Sequence, residues 1–280
     1  MKKINLLLWI IIFFSLISLI FAQDFSGKPE KDIPIQDPEK ELKLGETLEY
    51  AVHWLGIYIG RITLKVESTV YLDNHDCFHI IAYARPNRVL RKLYDVEYTV
   101  HTYIDRQSLH TRHFEKIRRA GDKINREIID FDYETKKVIY RTEGSSDFVD
   151  ISSAKIRKEI EDRIPTSINI LEKTQDLFSS FYYFRLLNLK AGQNYPVNIY
   201  YGQRNWTVNI KIEEVLLKDF YKKGSFAVFE AIMNSDLGEF ILGKRKFVVY
   251  FTADSRRIPM EFRISTAMGP IHGIIQDLPK

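Results

Sequence analysis

Cysteine is nearly absent from this sequence of 280 residues, which contains only Cys77. A chain with one cysteine has no internal disulfide, so its hydrophobic core must supply the stability of any domain that leaves the cell. A chain of this length can bury such a core as a single domain.

An excess of charge is also lacking. The formal net charge is +4, but Lys2 and Lys3 belong to an N-terminal leader, and the remaining chain has 39 basic and 37 acidic residues. Nucleic-acid-binding domains concentrate a strong basic excess on one face. We therefore expect no nucleic-acid partner.

The motifs of common catalytic sites are missing as well. The sequence has no G-x-S-x-G nucleophile elbow, no H-E-x-x-H metal motif and no glycine-rich phosphate loop. We therefore assign no catalytic residues and expect no cofactor. An active site assembled from residues that are distant in sequence stays open as an alternative, because a fold does not determine function.

The chain begins with an apolar segment. Lys2 and Lys3 precede an apolar run over residues 4–21, and Ala22 suits the position before a signal-peptidase cut. We predict a signal peptide over residues 1–22 that is cleaved after Ala22, so that the protein is exported and is periplasmic or associated with the cell envelope. The alternative is an uncleaved N-terminal anchor, because a membrane span needs about 20 apolar residues and this run comes close.

The rest of the chain divides into a linker and a domain. Residues 23–44 are polar and proline-containing, which favours a flexible linker. From residue 45 onward, runs of alternating apolar and polar residues are separated by polar turns, as expected for antiparallel strands. Eleven or twelve such runs predict a single, mainly β domain over residues 45–280, built as one large curved antiparallel sheet or a barrel-like meander.

One helix is predicted among the strands, over Asp176–Leu189. Its apolar stripe, with helical spacing, consists of Leu177, Phe181, Phe184 and Leu187. Asp176 suits the N-cap, and Lys190 and Gly192 suit the C-terminal end. We expect this helix to cover the concave face of the sheet, with Arg185 bonded to a carboxylate or to strand carbonyl groups.

The segment His75-Asp76-Cys77-Phe78-His79 contains two imidazoles and a thiol at alternate positions. Side chains at alternate strand positions share a face, so these three could hold zinc. We favour a simpler interpretation, in which His75 lies in the turn after Asp73 and Cys77 is a small buried apolar residue. We therefore predict no metal site.

Two further groups are candidates for binding. Basic residues near the turn at Gly121 could attract a phosphate, a lipid headgroup or an acidic glycan; they are Lys116, Arg118, Arg119, Lys123 and Arg126. A charged hairpin that discourages edge-to-edge pairing explains the same residues, and we favour that explanation. Apolar and aromatic residues facing a gap between helix and sheet are candidates to line a ligand site; they are Tyr50, Trp54, Phe181 and Phe184.

Three segments carry a resemblance to a known family. They are Gly45–Tyr50 with the tryptophan and glycines that follow, the helical segment from Asp176 to Gly192, and Thr252–Pro259. In this order and spacing they resemble the exported bacterial family called domain of unknown function 3108. The resemblance implies a signal peptide, a β-rich envelope domain and no assigned activity. The family pattern has no histidine pair like His75 and His79, which further disfavours zinc.

These observations predict an exported envelope protein that binds an amphiphile, a glycan or an envelope partner without catalysis. The motivating features are the leader, the concave apolar face implied by the helix, and the missing catalytic motifs. The alternatives are a hydrolase of envelope polymers with a dispersed active site and a purely structural module.

Overall fold

The computed structural model describes residues 28–29, 35, 37–92, 94–144, 169–220, 223–234, 247–266 and 269–279. The predicted signal peptide lies outside the described residues. No helix in the described part of the chain is both long and apolar enough to cross a membrane.

Strands dominate the described chain. In order they are β1 (Lys28–Pro29), β2 (Thr47–Trp54), β3 (Ile57–Leu72), β4 (His75–Pro86), β5 (Val96–Asp105), β6 (Thr111–Ala120), β7 (Lys123–Asp132), β8 (Lys137–Gly144), β9 (Asn194–Tyr201), β10 (Arg204–Phe220), β11 (Gly224–Asn234), β12 (Phe247–Thr252), β13 (Pro259–Thr266) and β14 (Gly269–Ile275). The helices are α1 (Arg88–Arg91) and α2 (Ser179–Leu186).

All strands belong to one sheet, in the order β1-β10-β11-β12-β13-β14-β2-β3-β4-β5-β6-β7-β8, with β9 also paired to β10. Every pair of neighbours is antiparallel, and most neighbours are consecutive in sequence, as in a meander. The pair β14–β2 joins the last strand to the first long one. The predicted mainly β fold with a single antiparallel sheet is confirmed, and the ladder of strands does not close into a barrel.

A short segment lies between the two edges of this sheet. Lys137 of β8 pairs with Asn169, and Ile199 of β9 pairs with Gln175. We call residues 169–175 the clasp. It is held further by the Thr111 amide, which donates to the carbonyl of Thr174 at 3.0 Å. Because the clasp contacts both edge strands, the sheet must curve until its edges approach each other, and exposed edge groups are covered.

The concave face of the curved sheet holds the core. Residues paired across antiparallel strands share a face. One buried row across β2–β5 consists of Leu48, Leu64, Ala82 and Val100. This row belongs to the same apolar cluster as Tyr182 of α2. A second cluster joins Tyr183 and Phe184 of α2 to Phe229 and Phe251. In β11 and β12 the two clusters take alternate residues, Val228 and Tyr250 in the first and Phe229 and Phe251 in the second, so they lie on opposite faces of these strands and α2 belongs to both.

The helix is shorter and more completely buried than predicted. Four consecutive side chains, Tyr182–Arg185, are buried, whereas Leu177, Phe181 and Leu187 are only partly buried. A single apolar stripe was therefore the wrong description, because a helix enclosed by a curved sheet buries several faces.

The predicted start of the helix is supported, and its predicted end is wrong. One carboxylate oxygen of Asp176 accepts the amides of Phe178 and Ser179 at 2.7 and 3.0 Å, which is the N-cap pattern. The helix ends at Leu186, since Leu187 is already extended. Gly192 has the expected positive φ of 77°, but its amide bonds to Ile212 in the turn before β9.

The segment expected to be a linker contributes to the domain. Leu42 is buried in the first core cluster, and the Glu39 amide donates to the carbonyl of Ser255 at 2.9 Å. A polar composition predicted flexibility, but one leucine with a place in the core is enough to fix the residues around it.

Candidate functional site

The three segments that carry the family resemblance meet in the interior. Glu46 precedes β2, Arg185 lies in α2, and Arg256 lies in the connection from β12 to β13. The guanidinium of Arg185 bonds both carboxylate oxygens of Glu46 at 2.5 and 2.8 Å. It also donates to the carbonyl of Arg256 at 3.1 and 3.2 Å. The prediction that Arg185 bonds a carboxylate is therefore confirmed, and we call this group the buried node.

Two tyrosines extend the buried node. The hydroxyl of Tyr50 donates to the carbonyl of Pro259 at 2.7 Å, and Arg185 lies 5.5 Å from the ring centre of Tyr182. Burial, followed by the neighbouring Tyr182, raises the pKa of Tyr50 well above its usual value. Burial opposes the charged form of Arg185, but the bonds to Glu46 outweigh it and raise the pKa of Arg185. The node therefore holds a permanent ion pair that fixes α2 on the sheet.

The four residues predicted to line a ligand site, Tyr50, Trp54, Phe181 and Phe184, do not come together in one wall. Tyr50 is buried in the first core cluster, Phe184 in the second, and Phe181 contacts both. Trp54 belongs to neither cluster. The gap between α2 and strands β10–β12, lined in part by Phe181 and Phe184, has a volume of about 30 Å³. That volume holds one or two water molecules and no acyl chain.

The candidate basic residues are divided between the two faces of the sheet. The register pairs Lys116 with Val100 on the concave side, whereas Arg126 pairs with Ile117 on the other side. Lys116 forms an ion pair with Glu127, and Arg126 lies 3.7 Å from Glu115. By the same alternation, Arg118 and Lys123 lie on the side of Lys116, and Arg119 lies on the side of Arg126. No single anion site results.

The histidines at positions 75 and 79 also have separate surroundings. His75 is the first residue of β4, in register with Leu72, and not part of the turn as predicted. Its Nδ1 lies 3.1 Å from Asp105, while His79 contacts His101 at 3.0 Å. Cys77 is fully buried, as expected of a small apolar residue. In the described chain, no three His, Cys, Asp or Glu side chains are grouped so that they could hold a metal.

A pocket at one end of the sheet has a volume of about 580 Å³. Three pieces of chain form it: the segment before β2, the β3–β4 hairpin and the β5–β6 turn. We call it the end pocket. It is lined by Lys40, Glu41, Tyr71, Asn74, His75, Asp76, Phe78, Asp105, Arg106 and Gln107. Its volume is within the range of small-ligand sites, and its lining is mainly polar.

The carboxylate of Asp105 in the end pocket is held in place by four N–H groups. One carboxylate oxygen accepts the amides of Gln107 and Ser108 at 2.9 Å each, and the other accepts two N–H groups of Arg112 at 2.9 and 3.1 Å. Burial opposes the charged form, but the bonds from Ser108, Arg112 and Gln107 outweigh it and lower the pKa of Asp105 to about 2. The carboxylate therefore stays ionised and orders the β5–β6 turn.

A second ion pair lies in the wall of the end pocket. Arg106 bonds to the carboxylate of Glu41, and its guanidinium lies 5.3 Å from the ring centre of Phe78. Phe78 belongs to the first core cluster, so the floor of the pocket rests on the core. Tyr71 is 71% exposed and presents its ring at the rim.

Sequence reasoning missed the end pocket because its residues belong to no motif. A usable signal was present: alternate turns of an antiparallel meander lie at the same end of the sheet. The β3–β4 turn at Asp73-Asn74 and the β5–β6 turn at Arg106–Ser108 are two apart in that order. Their polar residues could therefore have been grouped before the structure was known.

No curated protein matches the sequence. A solved structure with a similar arrangement is titled "Crystal Structure of Beta-barrel-like Protein of Domain of Unknown Function DUF1849 from Brucella abortus". The match has 9% sequence identity and a TM-score of 0.47, and it covers 85% of this chain and 98% of the other. The family described as "Protein of unknown function (DUF3108)" matches residues 49–275. The chain therefore belongs to the DUF3108 family, as the three segments at the buried node had indicated.

Proposed function

We propose that this protein is an exported, non-enzymatic binding module of the cell envelope that takes an uncharged glycan in the end pocket. The single observation that carries the proposal is the end pocket itself, with a volume of about 580 Å³ and a polar lining. Export is supported by the basic and apolar leader over residues 1–22.

The charges of the end pocket favour an uncharged ligand. Arg106 is paired with Glu41, and Asp105 is paired with Arg112. These pairs leave little net charge to attract an anion or a cation, and Lys40 and Asp76 in the lining add one charge of each sign. Asp105 is fully bonded, but Arg106 and Glu41 are partly exposed and keep N–H groups and lone pairs that face the pocket. Together with Asn74 and the other polar lining residues, they offer donors and acceptors for hydroxyl groups.

An exposed aromatic ring completes the match to a sugar. Tyr71 at the rim has an apolar face and a polar hydroxyl, so it can stack on the C–H face of a pyranose ring while its hydroxyl stays in water. An amphiphile is less well supported, because the described gap beside α2 holds only about 30 Å³.

A hydrolase is the second candidate. The observation in its favour is the contact of 3.1 Å between His75 Nδ1 and Asp105 in the same pocket, since a carboxylate beside a histidine can support proton transfer. This contact serves binding equally well, because it fixes the histidine ring at the pocket wall.

The proposal is tested by titrating the chain from Gln23 onward with neutral oligosaccharides in a calorimeter, after a screen on a glycan array. We expect Tyr71→Ala to weaken binding about tenfold, on the scale of one lost aromatic contact. Tyr94→Ala is the matched control, since Tyr94 is also exposed but lies in the β4–β5 connection, at the end of the sheet away from the end pocket. Absence of any bound glycan, or equal losses in both variants, contradicts the proposal, and release of shorter sugars supports the hydrolase.

A further inference from the structure

Large apolar side chains are exposed together at the end of the sheet that is opposite the end pocket. They lie in the β2–β3 turn, at the start of β3 and in the β4–β5 connection that contains α1; they are Leu55, Ile57, Tyr58, Val89 and Tyr94. We call this group the apolar tip. It contains five of the twelve exposed large apolar residues of the described chain. Val89 is 72% exposed and is the most exposed of the five.

The apolar tip is a fixed surface, because hydrogen bonds join its two parts. The amide of Asn87 donates to the carbonyl of Ile59 at 2.8 Å, and its side chain donates to the carbonyl of Tyr58 at 2.5 Å. The same side chain accepts the amides of Val89 and Leu90 at 2.9 and 2.8 Å, which caps α1. The exposure of Val89 is therefore imposed by the fold.

Positive charge surrounds the apolar tip. Arg85, Arg88 and Lys92 are exposed, and no ion pair is found for them within the described part of the chain. The acidic residues nearby are already engaged, because Arg91 bonds Asp95 at 3.5 Å and Glu97 at 2.5 Å. The tip therefore combines apolar side chains with a local basic excess.

We propose that the apolar tip docks on the surface of a membrane that contains anionic lipids. Exposed aliphatic and aromatic side chains enter the boundary between headgroups and acyl chains, while Lys and Arg around them bind anionic headgroups. A protein partner would have to place carboxylates opposite each of the three basic residues around an apolar surface, whereas an anionic membrane offers negative charge and apolar depth over its whole surface. The charge complementarity is what selects the lipid surface.

Docking at the tip leaves the end pocket accessible. The 16 residues of β3 separate the two ends, a contour length of about 50 Å. The protein would stand on the membrane with the pocket directed away from it. The inference does not depend on what the end pocket binds.

The test is co-sedimentation of the chain from Gln23 onward with vesicles of phosphatidylglycerol and phosphatidylcholine, compared with vesicles of phosphatidylcholine alone. We expect binding to the anionic vesicles that weakens with added salt. Arg88→Gln with Lys92→Gln should weaken it about 25-fold, since each basic residue at an anionic surface contributes about fivefold. Val89→Ser should weaken it about fivefold.

The matched control is Lys136→Gln with Lys190→Gln, which removes the same charge from exposed positions elsewhere. It should bind as the parent chain does, and circular dichroism should show all variants folded. Failure to sediment with anionic vesicles overturns the proposal, and so does an equal loss in the control variant. Equal binding to both kinds of vesicle also overturns it, because the basic residues would then have no role.

Discussion

The buried node and the end pocket each contain an arginine paired with a glutamate, and the two pairs differ in nearly every other respect. In the node, the side chains of Arg185 and Glu46 are only 7% and 6% exposed, and the guanidinium has further bonds to a carbonyl group. In the pocket, Arg106 and Glu41 are 37% and 66% exposed. A buried pair without one partner leaves an uncompensated charge, whereas an exposed pair can turn to water.

The buried ion pair of the node holds the fold together, whereas the exposed ion pair of the pocket is available for binding. The node joins the three segments that carry the family resemblance, and its charged side chains are buried and bonded to each other. The pocket lies where three connections meet, and none of its lining residues belongs to those segments. Residues that hold α2 in place and residues that face a ligand are therefore different sets, and variants can separate them.

The largest effect is expected at the node. Arg185→Met leaves the carboxylate of Glu46 buried and unpaired, which should lower the free energy of unfolding by about 3–5 kcal/mol in urea titrations. The double variant with Glu46→Leu should recover part of this loss, since both charges are then gone. A loss below about 1 kcal/mol in the single variant would show that the node is open to water.

A second comparison lies within α2. Phe184→Ala should lower the free energy of unfolding by about 3–5 kcal/mol, because its ring is 3% exposed and contacts Phe251. Phe181→Ala should cost clearly less, since Phe181 is only partly buried. Urea titration of the two variants measures the difference, and equal losses would contradict the described burial of the helix.

An effect of intermediate size is expected at His110, which should make the free energy of unfolding depend on pH. Its ring is stacked on Tyr133 at 3.6 Å, and burial, followed by Arg112, lowers the pKa of His110 to about 4. The unfolded chain binds this proton near pH 6.5, so the contribution is complete above that pH and is lost as the pH falls from about 6.5 to about 4. We expect at most about 3 kcal/mol from this group.

The measurement is urea titration of the parent chain and of His110→Phe at several pH values. The variant should lose less stability on acidification than the parent. His79 and His101 provide an internal comparison, because burial lowers the pKa of both. These two histidines lie on the face of β4 and β5 that is turned away from the core. An unchanged slope in His110→Phe would show that the histidine ring takes up its proton without disturbing the fold.

The fold could be predicted because its signals are local. Alternation of apolar and polar residues located the strands of β2–β8, and Asp176 was identified as a helix cap from residue type and position alone. A carboxylate or strand carbonyl groups are the predicted partners of Arg185, because a charged residue that interrupts an apolar run needs polar groups to bond. Which carboxylate it is depends on how the sheet curves, and the alternation of residues says nothing about that.

The candidate sites were harder to predict because they depend on which face of the sheet a side chain lies on and at which end of the sheet a turn lies. Lys116 and Arg126 are close in sequence, but strand alternation places them on opposite faces. Trp54 and Tyr50 lie in one strand, yet the register shifts between Val52 and His53. Such a bulge changes the orientation of the following side chains, and no residue type marks it clearly in the sequence.

The smallest effect on stability is expected at the end pocket, and it sharpens the comparison with the node. Arg106→Gln removes one partner of an exposed ion pair, which should change the free energy of unfolding by less than about 1 kcal/mol. The same change removes donors from the pocket wall and uncovers the ring of Phe78, so glycan affinity should fall although the fold is intact. Urea titration and calorimetry on the same preparation measure both quantities. A large loss of stability would show that Arg106 holds the fold together, as Arg185 does. Unchanged stability together with unchanged affinity would show that Arg106 and Glu41 do not belong to the proposed glycan site.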